Sequence, residues 1–136
     1  MYMEMAEVVA KQSYAIRKQV GCIIVKNDDV VSIGFNGTVS GTDNCCEDRM
    51  PDGTLVTKSS VVHAEANAIA RAARSGKSTD GGILFVTYSP CVSCASLIKQ
   101  SGISRVYYGE QYRDTSGIDT LRSLGIQVNK ITDNDK

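Results

Sequence analysis

Residues 81–100 read Gly-Gly-Ile-Leu-Phe-Val-Thr-Tyr-Ser-Pro-Cys-Val-Ser-Cys-Ala-Ser-Leu-Ile-Lys-Gln. Gly81-Gly82 punctuates the chain, and the run 83–88 is apolar and β-prone, so it reads as a strand. Ser89-Pro90 stops that strand. Proline suits a helix start, where its missing N–H costs nothing, so 91–100 reads as a helix, closed by Gly102 just past its end. The unit is therefore strand, tight turn, helix. It repeats downstream: 103–108 reads as a strand, 109–115 as a loop, 116–124 as a helix and 126–129 as a last short strand.

Upstream, 63–74 is alanine-rich and reads as a strong helix. From residue 63 the order is helix, strand, helix, strand, helix, strand. That alternation predicts parallel strands with helices packed on the sheet. Nearer the start, 20–25 and 30–35 read as two strands of a hairpin around the turn signal Asn27-Asp28-Asp29. The expected fold is α/β: a five-stranded mixed sheet, an antiparallel hairpin followed by parallel strands, with helices on both faces. A first helix is expected over about 3–17, with Met5, Val8, Val9 and Ile16 toward one side. The stretch 36–62 reads as one long irregular loop, a length that in compact domains usually carries function.

The 136 residues suit a single domain, 1–136, with one modest core. Fifteen basic and fifteen acidic residues balance, which argues against a long nucleic acid as partner. No apolar run reaches membrane-spanning length. The first residues lack the basic-then-apolar pattern of a secretion signal, so a cytoplasmic protein without a disulfide framework is expected.

His63-Ala64-Glu65 opens one helix and Pro90-Cys91-Val92-Ser93-Cys94 opens another. Crossover helices start at the same edge of a sheet, so His63, Cys91 and Cys94 can converge. Cys91 and Cys94, at i and i+3, share a helix face, and a helix N-terminus favours thiolates. Three protein ligands leave a fourth tetrahedral position for water, the arrangement of a catalytic zinc. A metal there acidifies its water toward neutral pH. Glu65, two residues from His63, is placed to carry protons beside that water rather than to ligate. An isolated H-x-E triplet is common by chance. Thiol redox chemistry and a structural zinc in a non-catalytic module, with Cys45 or Cys46 as a fourth ligand, are the rival readings of the cysteines. The two motifs together, in this order, match the zinc nucleobase deaminase signature.

At these residues the chain resembles the cytidine deaminase superfamily. Gln19-Val20-Gly21-Cys22-Ile23-Ile24-Val25, Gly34-Phe35-Asn36-Gly37-Thr38 and His63-Ala64-Glu65-Ala66-Asn67-Ala68-Ile69 look like the deoxycytidylate (dCMP) deaminase group, whose usual Gly-Tyr-Asn-Gly has Phe35 here. The resemblance implies a three-layer α/β/α fold and one catalytic zinc per subunit. It implies hydrolysis of dCMP to dUMP and ammonia, for thymidine nucleotide synthesis. By the same likeness Asn36 bonds the sugar hydroxyl, backbone at Ala64 and Ser89 bonds the base edge, and Arg17, Tyr112 and Arg113 meet base and phosphate. Lys18, before the first strand, and Arg49 and Lys58, in the long loop, are further candidate cations for the phosphate. The resemblance also implies a homo-hexamer regulated by dCTP and dTTP. Other deoxycytidine phosphates such as dCTP, and the tRNA adenosine deaminases, remain alternative substrate classes. Cys22 reads as a buried small hydrophobe. Cys45-Cys46 with Glu47-Asp48 would need cysteine and carboxylate ligands alone for a second metal, because the chain's one histidine is already used.

Overall fold

The computed structural model describes residues 1–132, so the last four residues of the expected 1–136 domain lie outside the described part. Its elements are α1 (Tyr2–Ala10), β1 (Gly21–Lys26), β2 (Asp29–Phe35), β3 (Glu47–Arg49), β4 (Leu55–Thr57), α2 (Ala64–Arg74), β5 (Ile83–Tyr88), α3 (Val92–Gln100), β6 (Arg105–Glu110), α4 (Ser116–Ser123) and β7 (Gln127–Lys130). Five strands form one sheet in the order β2-β1-β5-β6-β7. β1 runs antiparallel to both β2 and β5, while β5, β6 and β7 are parallel. The expected mixed sheet is the observed one.

Alternation along each strand builds two cores. Cys22, Ile24, Leu84, Val86, Val106 and Val128 face the layer of α2, α3 and α4. Ile23 and Val25 face the other way, with Phe85 and Tyr107 packed beside them under Met3 and Ala6 of α1. Leu84, Ile98 and Leu121 are fully shielded. Each such side chain contributes roughly 1.5–3 kcal/mol relative to exposure. β1 and β2 join through Asn27 and Asp28, both with positive φ (53° and 64°), the geometry of a tight two-residue hairpin turn.

Two expectations need correction. The first helix ends at Ala10, not near residue 17. Beyond it, side chains from elsewhere take the backbone groups that a helix would use. The Glu47 carboxylate accepts the N–H groups of Ile16 and Arg17 at 2.8 and 3.0 Å. Asn36 accepts the Val20 N–H and donates to the Lys18 carbonyl, both at 2.8 Å. Local helix preference is too weak to oppose such tertiary partners. The buried face of α1 is also different: Met3, Ala6 and Ala10 are inside, whereas Val8 and Ile16 are exposed. Small residues are needed there because α1 lies directly on Gly21, where a Cβ would stand 2.0 Å from the Ala6 carbonyl oxygen. The second correction concerns 36–62, which is not all irregular. It contains the antiparallel pair β3–β4 and a bridge between Gly37 and Val62.

The same close approach sets the position of α2. A Cβ on Gly34 of β2 would fall 2.4 Å from the Ala64 carbonyl oxygen and 2.5 Å from the Ala68 nitrogen. Backbone cannot yield as a side chain does. Gly34→Ala is therefore expected to lower stability by about 1–3 kcal/mol, as overpacking does. Gly37→Ala, whose Cβ meets nothing within 4 Å, is expected to cost much less. Urea unfolding midpoints of the two variants check this.

Candidate metal centre and active-site cavity

The strand directions place one edge of the sheet at the centre of the chemistry. The entry to β1 and the exits from β2, β5 and β6 all lie there, as the pairings Gly21 with Phe35 and Tyr88 with Glu110 show. Helices α2 and α3 begin over the same edge. His63 is the N-cap of α2 and Cys91 the N-cap of α3, both in extended backbone. Cys94 lies one turn into α3. Gly117, at the start of α4, presses on this corner: a Cβ there would sit 1.8 Å from the Pro90 carbonyl oxygen.

The ligand atoms of His63, Cys91 and Cys94 all lie within 4.8 Å of one another. His63 presents Nδ1, at 3.2 Å from the Cys94 sulfur and 3.5 Å from the Cys91 sulfur. Zinc bonds of about 2.0–2.3 Å at tetrahedral angles require donor separations of roughly 3.5–3.8 Å. The donor set and its spacing therefore fit one zinc per subunit, with a side left open to the cavity. Burial, then the nearby Glu65 and Cys91 charges, push the Cys94 thiol far above its ordinary range. A dication reverses that balance, because a coordinating thiol is deprotonated outright. Ser93 Oγ stands 3.1 Å from the Cys91 sulfur and can donate to it.

Glu65 is 4% exposed. Burial pushes its carboxyl up to about 7, while its own backbone N–H and the Cys94 thiol pull the other way. A carboxylate so placed exchanges protons readily near neutrality.

Around this corner is a cavity of about 470 Å³. His63, Ala64, Glu65, Ser89, Cys91, Arg17, Asn36, Tyr112 and Arg113 all line it. Asn36 turns its amide to backbone, as described above. Ser89 donates its N–H to the Glu110 carbonyl, so its carbonyl is what it can offer a ligand. The Ser89 hydroxyl accepts the Tyr112 N–H at 3.0 Å, which ties the loop after β6 to the end of β5. Burial raises the Tyr112 hydroxyl to about 12, with the Glu65 charge a smaller contribution, so it stays a proton donor.

Sequence reasoning left Tyr88, Thr57 and Asp114 out of the site and ranked Lys18 below Arg17 and Arg113 among the cations for the phosphate; all four line the cavity. The Lys18 ammonium lies 4.2 Å from the Tyr88 ring centre and 4.3 Å from that of Tyr112. The two rings are 5.3 Å apart. Tyr88 had a visible signal, as the last strand residue before Ser89-Pro90. The cation–π contact had none, since three separate segments meet in it. Arg49 and Lys58 do not line the cavity; Lys58 pairs with Asp48 at 3.9 Å. Cys22 is fully buried. The Cys45 and Cys46 thiols face the carbonyls of Glu47 and Asn44, and the Glu47 carboxylate is engaged with backbone.

Residues 1–110 match the model of the cytidine and deoxycytidylate deaminase zinc-binding region. The chain belongs to this deaminase family. The deoxycytidylate deaminase of Enterobacteria phage T4 is 32% identical over 165 aligned positions, spanning 93% of this chain and 86% of its own length. That of Mycobacterium phage D29 is 33% identical, over 81% of this chain and 92% of its own. A dCMP deaminase from cyanophage S-TIM5, solved with dCMP and dUMP, superimposes with a TM-score of 0.88 at 46% identity, covering 96% of this chain and 93% of that one. A tRNA:A34 deaminase, at 23% identity and a TM-score of 0.65, shares the deaminase fold.

Cys91→Ala, Cys94→Ala and His63→Ala are each expected to reduce bound zinc from one equivalent per chain to a small fraction. Elemental analysis of the purified variants, after dialysis against a mild chelator, measures it.

Proposed function

We propose that this chain hydrolyses dCMP to dUMP and ammonia, in supply of thymidine nucleotides. The observation that carries the reading is the buried Glu65 beside a three-donor metal corner, in a cavity that Arg17, Lys18 and Arg113 also line. The near relative bound to dCMP and dUMP supports the choice of substrate. Zinc, held by His63, Cys91 and Cys94, supplies a Lewis acid that makes water a nucleophile near neutral pH.

The chain's own residues do the rest. Glu65 takes the proton from the attacking water and delivers it to N3 of the cytosine ring. It later carries a proton to the departing amine, so that ammonia leaves and a carbonyl remains. The Ala64 backbone and the Ser89 carbonyl bond the edge of the base. Asn36 accepts the sugar hydroxyl on the remaining lone pair of Oδ1, since an amide oxygen carries two. Tyr112 walls the cavity. Arg17 and Arg113 hold the phosphate, and Arg17 is oriented by donating to the Thr57 hydroxyl at 3.1 Å.

The reading extends to one catalytic domain over 1–136. It also extends to a cytoplasmic setting, which suits five free cysteines, two of them metal ligands. Assembly into a hexamer, with dCTP activating and dTTP inhibiting, rests on family resemblance. No helix among the described residues is long and apolar enough to cross a membrane.

Glu65→Ala is expected to retain zinc and lose about 10²–10⁴-fold in turnover, the usual worth of a positioned proton carrier. Ammonia release from dCMP, dCTP, deoxycytidine and a tRNA anticodon hairpin, repeated with dCTP added, measures both turnover and substrate choice. Faster turnover of dCTP or the hairpin than of dCMP would overturn the proposed substrate. Arg17→Ala and Arg113→Ala are each expected to raise KM for dCMP about tenfold or more, as loss of a charge-assisted phosphate contact does. Initial-rate kinetics read that value directly, and unchanged KM in both variants would remove them from the phosphate site.

A further inference from the structure

Among the described residues, the proton-transfer scheme leaves one buried carboxylate unused. Glu47, at the start of β3, is 6% exposed. A single oxygen, Oε2, receives the N–H groups of both Ile16 and Arg17. A buried carboxylate is costly unless it is hydrogen-bonded, and here two converging backbone donors bond it. The segment 11–20 belongs to no helix or strand, so its path is set by such contacts. Across the small hairpin, Glu47 pairs with Thr57, the residue whose hydroxyl accepts from the Arg17 guanidinium. One strand thus grips the Arg17 backbone and its neighbour aims the Arg17 side chain. Cys46, Val61 and Ala15 form a small apolar cluster beneath this arrangement.

We infer that Glu47 is a positioning residue: with Thr57 it turns the β3–β4 hairpin into a holder that presents Arg17 to the substrate phosphate. This rests on the reading of Arg17 as a phosphate contact. Glu47 itself touches no substrate. Its carboxylate works through the backbone, because two N–H groups on one oxygen fix the direction in which residue 17 leaves the chain. A displacement of about 1 Å in such a group is enough to weaken a charge-assisted contact severely.

The test is a double-mutant cycle on the zinc-loaded enzyme. Arg17→Ala and Glu47→Ala should each raise KM for dCMP about tenfold, with kcat nearly unchanged, and the double variant should be no worse than Arg17→Ala alone. Glu47→Gln, which keeps an acceptor oxygen, should restore most of the loss. A merely structural role would lower the melting temperature and raise KM equally with or without the Arg17 side chain. Where Glu47→Ala does not fold, Thr57→Val takes its place in the cycle, with a smaller rise of about threefold expected. If Arg17→Ala raises KM while the partner variant does not, or if the two effects multiply, the holder is wrong and the Arg17 contact stands. If Arg17→Ala leaves KM unchanged, the phosphate reading fails and the inference fails with it.

Discussion

Three donor atoms from two helices must stand close enough to share one ion. That constraint shapes much of the molecule. A histidine at one helix start and a cysteine at another meet only if both helices begin over the same sheet edge and sit hard against what lies beneath them. Gly34 lets α2 settle on β2 without a side chain between, and Gly117 does the same for α4 against Pro90 and Cys91. The parallel run β5-β6-β7 brings successive loops to that edge. The antiparallel β1 and β2 bring the chain's entry and exit there as well.

The electrostatics of the corner follow from its burial. Glu65 and Cys94 are enclosed together, and enclosure favours the protonated form of both. Enclosure favours protons on both groups, and a bound cation would instead favour the Cys94 thiolate. Metal loading and readiness for chemistry are therefore coupled through the same few atoms.

Much of this was legible in residue order. Pro90, the glycines at 81, 82 and 102, and the alanine-rich run after His63 are local signals, and local signals mark element boundaries well. The motif pair was readable for the same reason: each half opens a helix. The end of α1 was not readable. Nothing between residues 11 and 17 forbids a helix, and the groups that end it, Glu47 and Asn36, come from distant segments. The pair β3–β4 is too short for periodicity to register. Lys18 looked like one surface charge among several, because its place depends on Tyr88, at the end of β5, and Tyr112, in the loop after β6. Ile16 was grouped with the helix by a period that ran past its true end, and Val8 lies within the helix but on the face away from Met3, Ala6 and Ala10.

Asn36 joins two parts of the chain that arrive at the cavity from opposite directions. Its amide bonds the backbone at Lys18 and Val20, and its own N–H reaches the Val20 carbonyl. The segment carrying Arg17 and Lys18 and the exit from β2 thus form one hydrogen-bonded wall before any ligand arrives. A ligand meeting such a wall loses little of its interaction energy to ordering the protein. Selectivity then rests on shape and charge already in place, and a ligand of the wrong length gains nothing from the wall's giving way.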